Sequence, residues 1–231
     1  MTGTDTEIGK TLVSAALLYR LAAEGERVVG MKPVASGARV TPDGLRNDDA
    51  MLLQRYSNVP ASYHLVNPYC FEPPIAPHIA AQRAGAHISL DRIEACYWKL
   101  ARDAGRVVVE GVGGWRVPLN DQQTVADIPR QLELPVVLVV GLRLGCISHA
   151  LLTAEAIRAD GCHLAGWIAN DLSGDRTFVA DNIAALGSRL GAPLLGQLPW
   201  FPAVSVAECA GRLQVERFVA PAVASGGALK P

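Results

Sequence analysis

The sequence predicts an α/β fold, a three-layer sandwich built on a mostly parallel central sheet, and three observations lead there. Continuous apolar runs alternate with amphipathic helical stretches along the chain. Those apolar runs lack the every-second-residue polarity of a half-exposed strand, so both faces should be covered. A glycine-rich stretch at the start, MTGTDTEIGKT, leads directly into the first helical pattern.

In chain order, residues 12–24 place Leu12, Ala15, Ala16, Tyr19 and Ala22 on one helical face with Leu18 and Leu21 beside it, and Gly25 supplies a stop. Residues 27–34, RVVGMKPV, read as a buried strand that runs into a loop too polar for the core, ASGARVTPDGLRND. Further strands are expected at 106–111, 135–141, 163–170 and 193–200, and helices at 90–104, 148–160 and 175–190. The proline-rich stretch 57–78 reads as a long irregular connection of a functional kind. With no repeat or linker, residues 1–220 form a single domain, and the small, Pro/Gly-rich tail 221–231 is expected to be disordered.

Composition narrows the function. Of 231 residues half are apolar and 19% charged, with a formal net charge of -1, which excludes a disordered chain and an electrostatic grip on nucleic acid. Small molecules, or a second copy, are the expected partners. The scattered cysteines (Cys70, Cys96, Cys146, Cys162, Cys209) form no C-x-x-C pair and read as reduced thiols. No apolar run approaches the roughly 20 residues of a membrane helix, and Lys10 interrupts any signal-like start, so a cytoplasmic location is expected.

Gly9-Lys10-Thr11 ends a loop suited to phosphate. Backbone N–H groups and a helix N-terminus surround the phosphates, the lysine neutralises their oxygens and the hydroxyl ligates Mg²⁺. Five residues separate Gly3 from Gly9, one more than the common pattern, yet the apolar helix that follows favours nucleotide binding over a chance Gly/Thr-rich turn. A metal on Thr11 needs carboxylates from neighbouring strand ends. Glu110 ends the run VVVE and opens Gly111-Val112-Gly113-Gly114, although it could merely cap the next turn. Asp49 is less distinctive, since Asp48 or Asp49 could simply cap the helix beginning there. Lys32, followed by Pro33 at a strand's C-terminal end, points to the ligand crevice or is an ordinary surface lysine.

Taken together, GTDTEIGKT, KPVASG, GLRNDDA, NPY, PHIAAQ, VEGVGGW, VVGLRLGCISHALLT, GWIAND and LLGQLPW resemble the dethiobiotin synthase family, a P-loop NTPase-like group of ATP-dependent ring-closing enzymes, from Thr2 to about Pro202. The resemblance implies chemistry on 7,8-diaminononanoate, CO₂ and ATP with Mg²⁺, and a homodimer. It implies Lys10 and Lys32 as catalytic residues, and Thr11, Asp49 and Glu110 as metal ligands. ATP would meet Glu7, Ile8, Gly9, Lys10, Thr11 and Leu12, then Glu110, Gly111, Val112 and Gly113. Asn170, Asp171, Pro199, Trp200 and Phe201 would surround the base. The substrate would meet Thr6, Lys32 and Ser36, with its tail carboxylate at the helix start Gly145, Cys146, Ile147, Ser148 of the opposite subunit, where free N–H groups favour an anion. An ordinary Ser148 N-cap explains that last stretch equally well without the family. Ser148 stands where the family has Asn, and AVSVAEC lacks an acidic residue that some members place near there. Corrinoid amidases share the loop and carboxylates but carry a further domain. Partitioning-type ATPase switches place an extra lysine in the stretch that reads TGTDTE here.

The opening also poses a structural problem. Such loops are launched from a buried strand, and the family has an apolar strand whose last valine Met1 replaces. A strand of about five buried apolar residues is worth on the order of 10 kcal/mol. The expectation is therefore that the N-terminal strand is missing from this chain, with the natural protein extending upstream. Without that strand, its neighbours should close over a gap and hold the phosphate loop loosely.

Overall fold

A computed structural model describes residues 1–174, 177–200 and 205–218 of the chain. The tail 221–231, Phe201 and part of the expected 175–190 helix lie outside the described residues. A two-residue strand β1 (Thr2–Gly3) leads through the glycine loop into α1 (Lys10–Ala23), and Gly25, at φ 86, turns the chain after it. Then come β2 (Val28–Met31), β3 (Val34–Ala35) and the hairpin β4 (Arg39–Thr41) and β5 (Gly44–Arg46), which is the polar loop of the sequence. The helix α2 (Asp48–Tyr56) follows. The stretch expected to be irregular is mostly so, with the short α3 (Tyr63–Val66) and β6 (Tyr69–Cys70), which pairs with β3, inside it, and Pro77 opens α4 (Pro77–Arg83). Proline at the first helical turn costs no hydrogen bond, so the same residues that break a strand start a helix.

The remaining elements are α5 (Leu90–Asp103), β7 (Arg106–Val109), α6 (Asp127–Gln131), β8 (Val136–Leu142), α7 (Cys146–Ala159), β9 (Leu164–Asp171), α8 (Val179–Gly187), β10 (Leu194–Leu198) and α9 (Val206–Ala210). All central pairings are parallel, in the orders β1-β8-β9-β10 and β2-β7. Along β8 the apolar run divides by parity. Val137 and Val139 face α1 and α9, whereas Val136, Leu138 and Val140 face α7 and α8. On the second face α5 and α6 cover β2 and β7 through Val29, Met31, Ile93 and Ile128. Each buried Val, Leu or Ile contributes about 1.5–3 kcal/mol, and the three layers give both parities an apolar partner.

The strand that launches the phosphate loop is a stub. Thr2 and Gly3 register with Leu138 and Val139, the Met1 ammonium donates to the Val109 carbonyl at 2.7 Å, and Gly111 N–H donates to the Met1 carbonyl at 3.0 Å. Beyond Met1 the edges of β7 and β8 do not close over the gap, as they were expected to. They stand apart around a cavity of about 410 Å³, because β1 spaces them one strand's width at the site end. The loop itself is tied down, not loose. Thr4 N–H donates to Val139, Lys10 Nζ to the Asp5 carbonyl at 2.7 Å and Asn170 Nδ2 to the Ile8 carbonyl at 2.8 Å.

Candidate active site

Strand register brings the site together. Met31 lies beside Val109 in the β2–β7 ladder, so the next residues, Lys32 and Glu110, leave the sheet side by side at its C-terminal edge. Lys32 Nζ meets Glu110 Oε1 at 2.6 Å and Asp49 Oδ2 at 2.9 Å, and the Thr11 hydroxyl donates to Glu110 Oε1 at 2.8 Å. Lys32 is 3% exposed and Glu110 fully buried, which excludes both a surface lysine and a simple turn cap. Asp49 is free to join them because Asn47 caps α2, its side chain accepting from Ala50 N–H at 3.2 Å. Neither Asp48 nor Asp49 is the cap.

Electrostatics follow from the burial. For Lys32, desolvation is the largest single influence and lowers its pKa, but Glu110 and Asp49 together reverse it and leave it raised. Burial likewise pushes the Asp49 carboxyl up, and Lys32 and Thr11 outweigh it to hold the group below its usual range. Lys10 is pulled down to about 8, by burial first and Lys32 second, with Glu110 and Asp49 opposing. A phosphate beside it would restore its full charge.

Residues 4–9 wrap the start of α1. Glu7, at φ 57, and Gly9, at φ 87, take left-handed conformations, Gly9 caps the helix, Ile8 is buried beneath the loop, and Leu12, in the first turn of α1, packs half-buried against the core. Opposite lie Gly111, Val112 and Gly113, the last at φ 62 with Thr6 Oγ1 3.7 Å from where its Cβ would be. Ser36 faces the same edge, its buried hydroxyl without a partner among the described residues.

At the far side β9 and β10 end together, Asn170 registering with Leu198. The Asn170 amide is committed to the Ile8 carbonyl, and Asp171 Oδ1 accepts from the N–H groups of Ser173 and Gly174. Trp200 stacks over Gly174, about half exposed, with Pro199 before it. The start of α7 is capped by Gly145 at φ 92. Ser148 is the third helical residue and exposed, so the ordinary N-cap reading does not hold, while Cys146 points into the core and Ile147 packs against it. Arg143 pairs with Asp5, tying this helix start to the phosphate loop.

Positioning residues escaped the sequence reading. Asn67 Nδ2 donates to the Lys32 carbonyl at 2.6 Å and Tyr63 hydroxyl donates to Asn67 Oδ1 at 3.0 Å, while Asn47 N–H donates to Tyr63 at 2.7 Å. The chain thus links Lys32 to the cap that sets Asp49. Its sequence signal is Asn67-Pro68, an amide fixed before a proline.

The family model described as an AAA domain matches residues 1–208. The chain is similar to proteins named ATP-dependent dethiobiotin synthetase BioD. It is 50% identical to that of Marinobacter nauticus over 90% of each chain, and 51% identical to that of Xanthomonas oryzae over 94% of this chain and 97% of the relative. Among solved structures it resembles the MinD cell division protein of Aquifex aeolicus (TM-score 0.58, 14% identity, 94% of each chain) and a ParA family ATPase of Chlorobium tepidum (TM-score 0.56, 12% identity, 94% of this chain and 90% of that one). At such identity the likeness is one of fold.

A Cβ on Gly9 would lie 2.3 Å from Asn170 Nδ2 on a backbone that favours glycine. Gly9→Ala should weaken nucleotide binding about tenfold or more while barely shifting secondary structure, as read by nucleotide titration and circular dichroism.

Proposed function

The chain belongs to the dethiobiotin synthetase family, and on that premise we propose that Lys10, Lys32 and Glu110 serve the ATP-dependent closure of a ureido ring on 7,8-diaminononanoate with CO₂. It is an ATP-dependent ligase of biotin biosynthesis. The observation that carries the mechanistic reading is the buried Lys32 ammonium, held 2.6 Å from Glu110 at the mouth of the phosphate loop.

In this reading one amine attacks CO₂ and, losing a proton, becomes a carbamate. A carbamate oxygen then attacks the γ-phosphorus as ADP leaves, and the second amine attacks the carbamate carbon as phosphate leaves. Negative charge gathers at two places. Lys10 and the N–H groups at the start of α1 would receive the transferring phosphoryl. Lys32 would stabilise the carbamate and the mixed anhydride, the electrostatic kind of assistance that removes most of such a barrier. Ser36, its hydroxyl unpartnered among the described residues, and Thr6 would fix the substrate. Asn170, Asp171, Pro199 and Trp200 would line the base pocket.

Thr11, Asp49 and Glu110 suit a Mg²⁺ ion. Among the described residues Glu110 Oε2 is buried without a hydrogen-bond partner, and the Thr11 hydroxyl already reaches the same carboxylate. Among the described residues no three His, Cys, Asp or Glu side chains form a metal cluster by themselves. Two carboxylates completed by a hydroxyl and nucleotide phosphates are the usual Mg²⁺ arrangement. When bound, the ion supplies positive charge to the transferring phosphoryl group.

The Gly145–Ser148 helix start would receive the substrate's tail carboxylate across a homodimer interface, and exposed Leu144 and Leu152 beside it support a covering partner. A cytoplasmic location suits this chemistry. Among the described residues no helix is long and apolar enough to cross a membrane.

Phosphate release should require diaminononanoate, bicarbonate and Mg²⁺ together, and equal turnover without the diamine would count against the reading. In the same assay Lys32→Ala should lose at least about a hundredfold in kcat while nucleotide affinity changes only a few-fold.

A further inference from the structure

Arg46 stands at the end of β5 in a place that the stability of the hairpin does not explain. Register sets it directly opposite Arg39, and like charges facing each other across antiparallel strands repel. Arg39 finds Asp48 at 3.0 Å. No carboxylate among the described residues pairs with Arg46, although that residue is only partly exposed. Its Nη1 donates to the Leu45 carbonyl at 2.9 Å, and its Cζ lies over the ring of Tyr63, 4.2 Å from the centroid. A guanidinium there is held by the negative face of the ring.

The ring needs such a support. Tyr63 opens α3, a single turn of four residues, and a helix that short has no stiffness of its own. Among the described residues Tyr63 belongs to none of the three apolar clusters of the core. Its hydroxyl is nevertheless tightly constrained. Asn67 gives both amide hydrogens to the carbonyls of Lys32 and Tyr69, at 2.6 and 3.0 Å, so its Oδ1 has to receive the phenol proton. The phenol oxygen accepts in turn from Asn47 N–H at 2.7 Å and meets Cys70 Sγ at 3.6 Å. A tilt of the ring would break these bonds together. One end of the chain lies under Lys32, and the other is the cap of α2, two residues before Asp49.

We propose that Arg46 is a positioning residue of the ligase reaction, which by lying over Tyr63 sets the spacing of the Lys32 ammonium and the Asp49 carboxylate. It acts on both through the phenol. The inference rests on the ligase reading, in which Lys32 holds the carbamate and Asp49 the metal. Those roles need two groups 2.9 Å apart to stay in register with each other, because a misplacement of about 1 Å costs on the order of a hundredfold in rate.

The test compares the full chain with Arg46→Met, which keeps an apolar stem and removes the charged plane. The variant should lower kcat for diamine-dependent phosphate release about tenfold and leave the KM for ATP within about twofold. The Mg²⁺ concentration for half-maximal rate should rise several-fold, as when the support of a metal ligand is loosened. Independently of turnover, the Asn47 amide should exchange its hydrogen about tenfold faster in the variant, with the melting temperature little changed. In a Tyr63→Leu background Arg46→Met should alter kcat by less than about twofold, because the ring through which it acts is gone. Arg46→Gln is judged by the same measures should Arg46→Met fold poorly. Unchanged kcat, unchanged Asn47 exchange, or the same loss in the Tyr63→Leu background would each overturn the inference. A parent chain that released phosphate equally without the diamine would overturn the ligase reading and this inference with it, whereas a normal parent with an unaffected variant overturns this inference alone.

Discussion

The contact on which the rest of the site depends is the one between the Lys32 ammonium and the Glu110 carboxylate, 2.6 Å apart with almost no solvent. It exists because β2 and β7 are parallel neighbours in a register that sets Met31 against Val109. A shift of one residue would send the two side chains to opposite faces. Such a pair is a poor way to stabilise a fold, since desolvating both ions cancels most of their attraction, whereas removing one partner costs about 3–5 kcal/mol. Its place in the fold makes chemical sense at the mouth of a phosphate loop. There an ammonium and a carboxylate fixed by the fold in a site with almost no solvent are worth more than in water.

Other features are arranged around that pair. Asn47 takes over the capping of α2 and so frees Asp49, whose side chain is 44% exposed and reaches Lys32 from the rim. The Asn67–Tyr63–Asn47 chain holds the backbone of Lys32 and the start of α2 in one piece. Thr11 joins Glu110 to the first turn of α1, so the phosphate loop and the two strands share a single hydrogen-bonded unit. The loop's anchorage through Val139, Asp5 and Asn170 explains how a two-residue β1 can still aim it.

The sequence made some of this legible and hid the rest for identifiable reasons. Continuous apolar runs such as VVLVV announce a strand covered on both sides, and the structure places consecutive residues of that run in different clusters. Gly9-Lys10-Thr11 announces its loop through chemistry that few other stretches need. Register, however, is a long-range property, so neither the Lys32–Glu110 contact nor its shielding from water could be read from residues 78 positions apart. Local rules also misjudged the helix starts. Asp48, Asp49 and Ser148 are all good caps in isolation, yet Asn47 and Gly145 hold those positions because the preceding backbone selects them. The proline-rich stretch is mostly irregular, as its sequence predicts, yet Pro77 opens a helix and Asn67 braces the site, roles that depend on which strand lies alongside.

The most direct test is a double-mutant cycle on Lys32→Met and Glu110→Gln, followed by urea unfolding without nucleotide or metal. Each single change should cost about 3 kcal/mol by stranding its buried partner, and the double variant should cost less than their sum by about 2 kcal/mol or more. Losses that add to within about 0.5 kcal/mol would contradict the pair's place as the constraint around which the site is built.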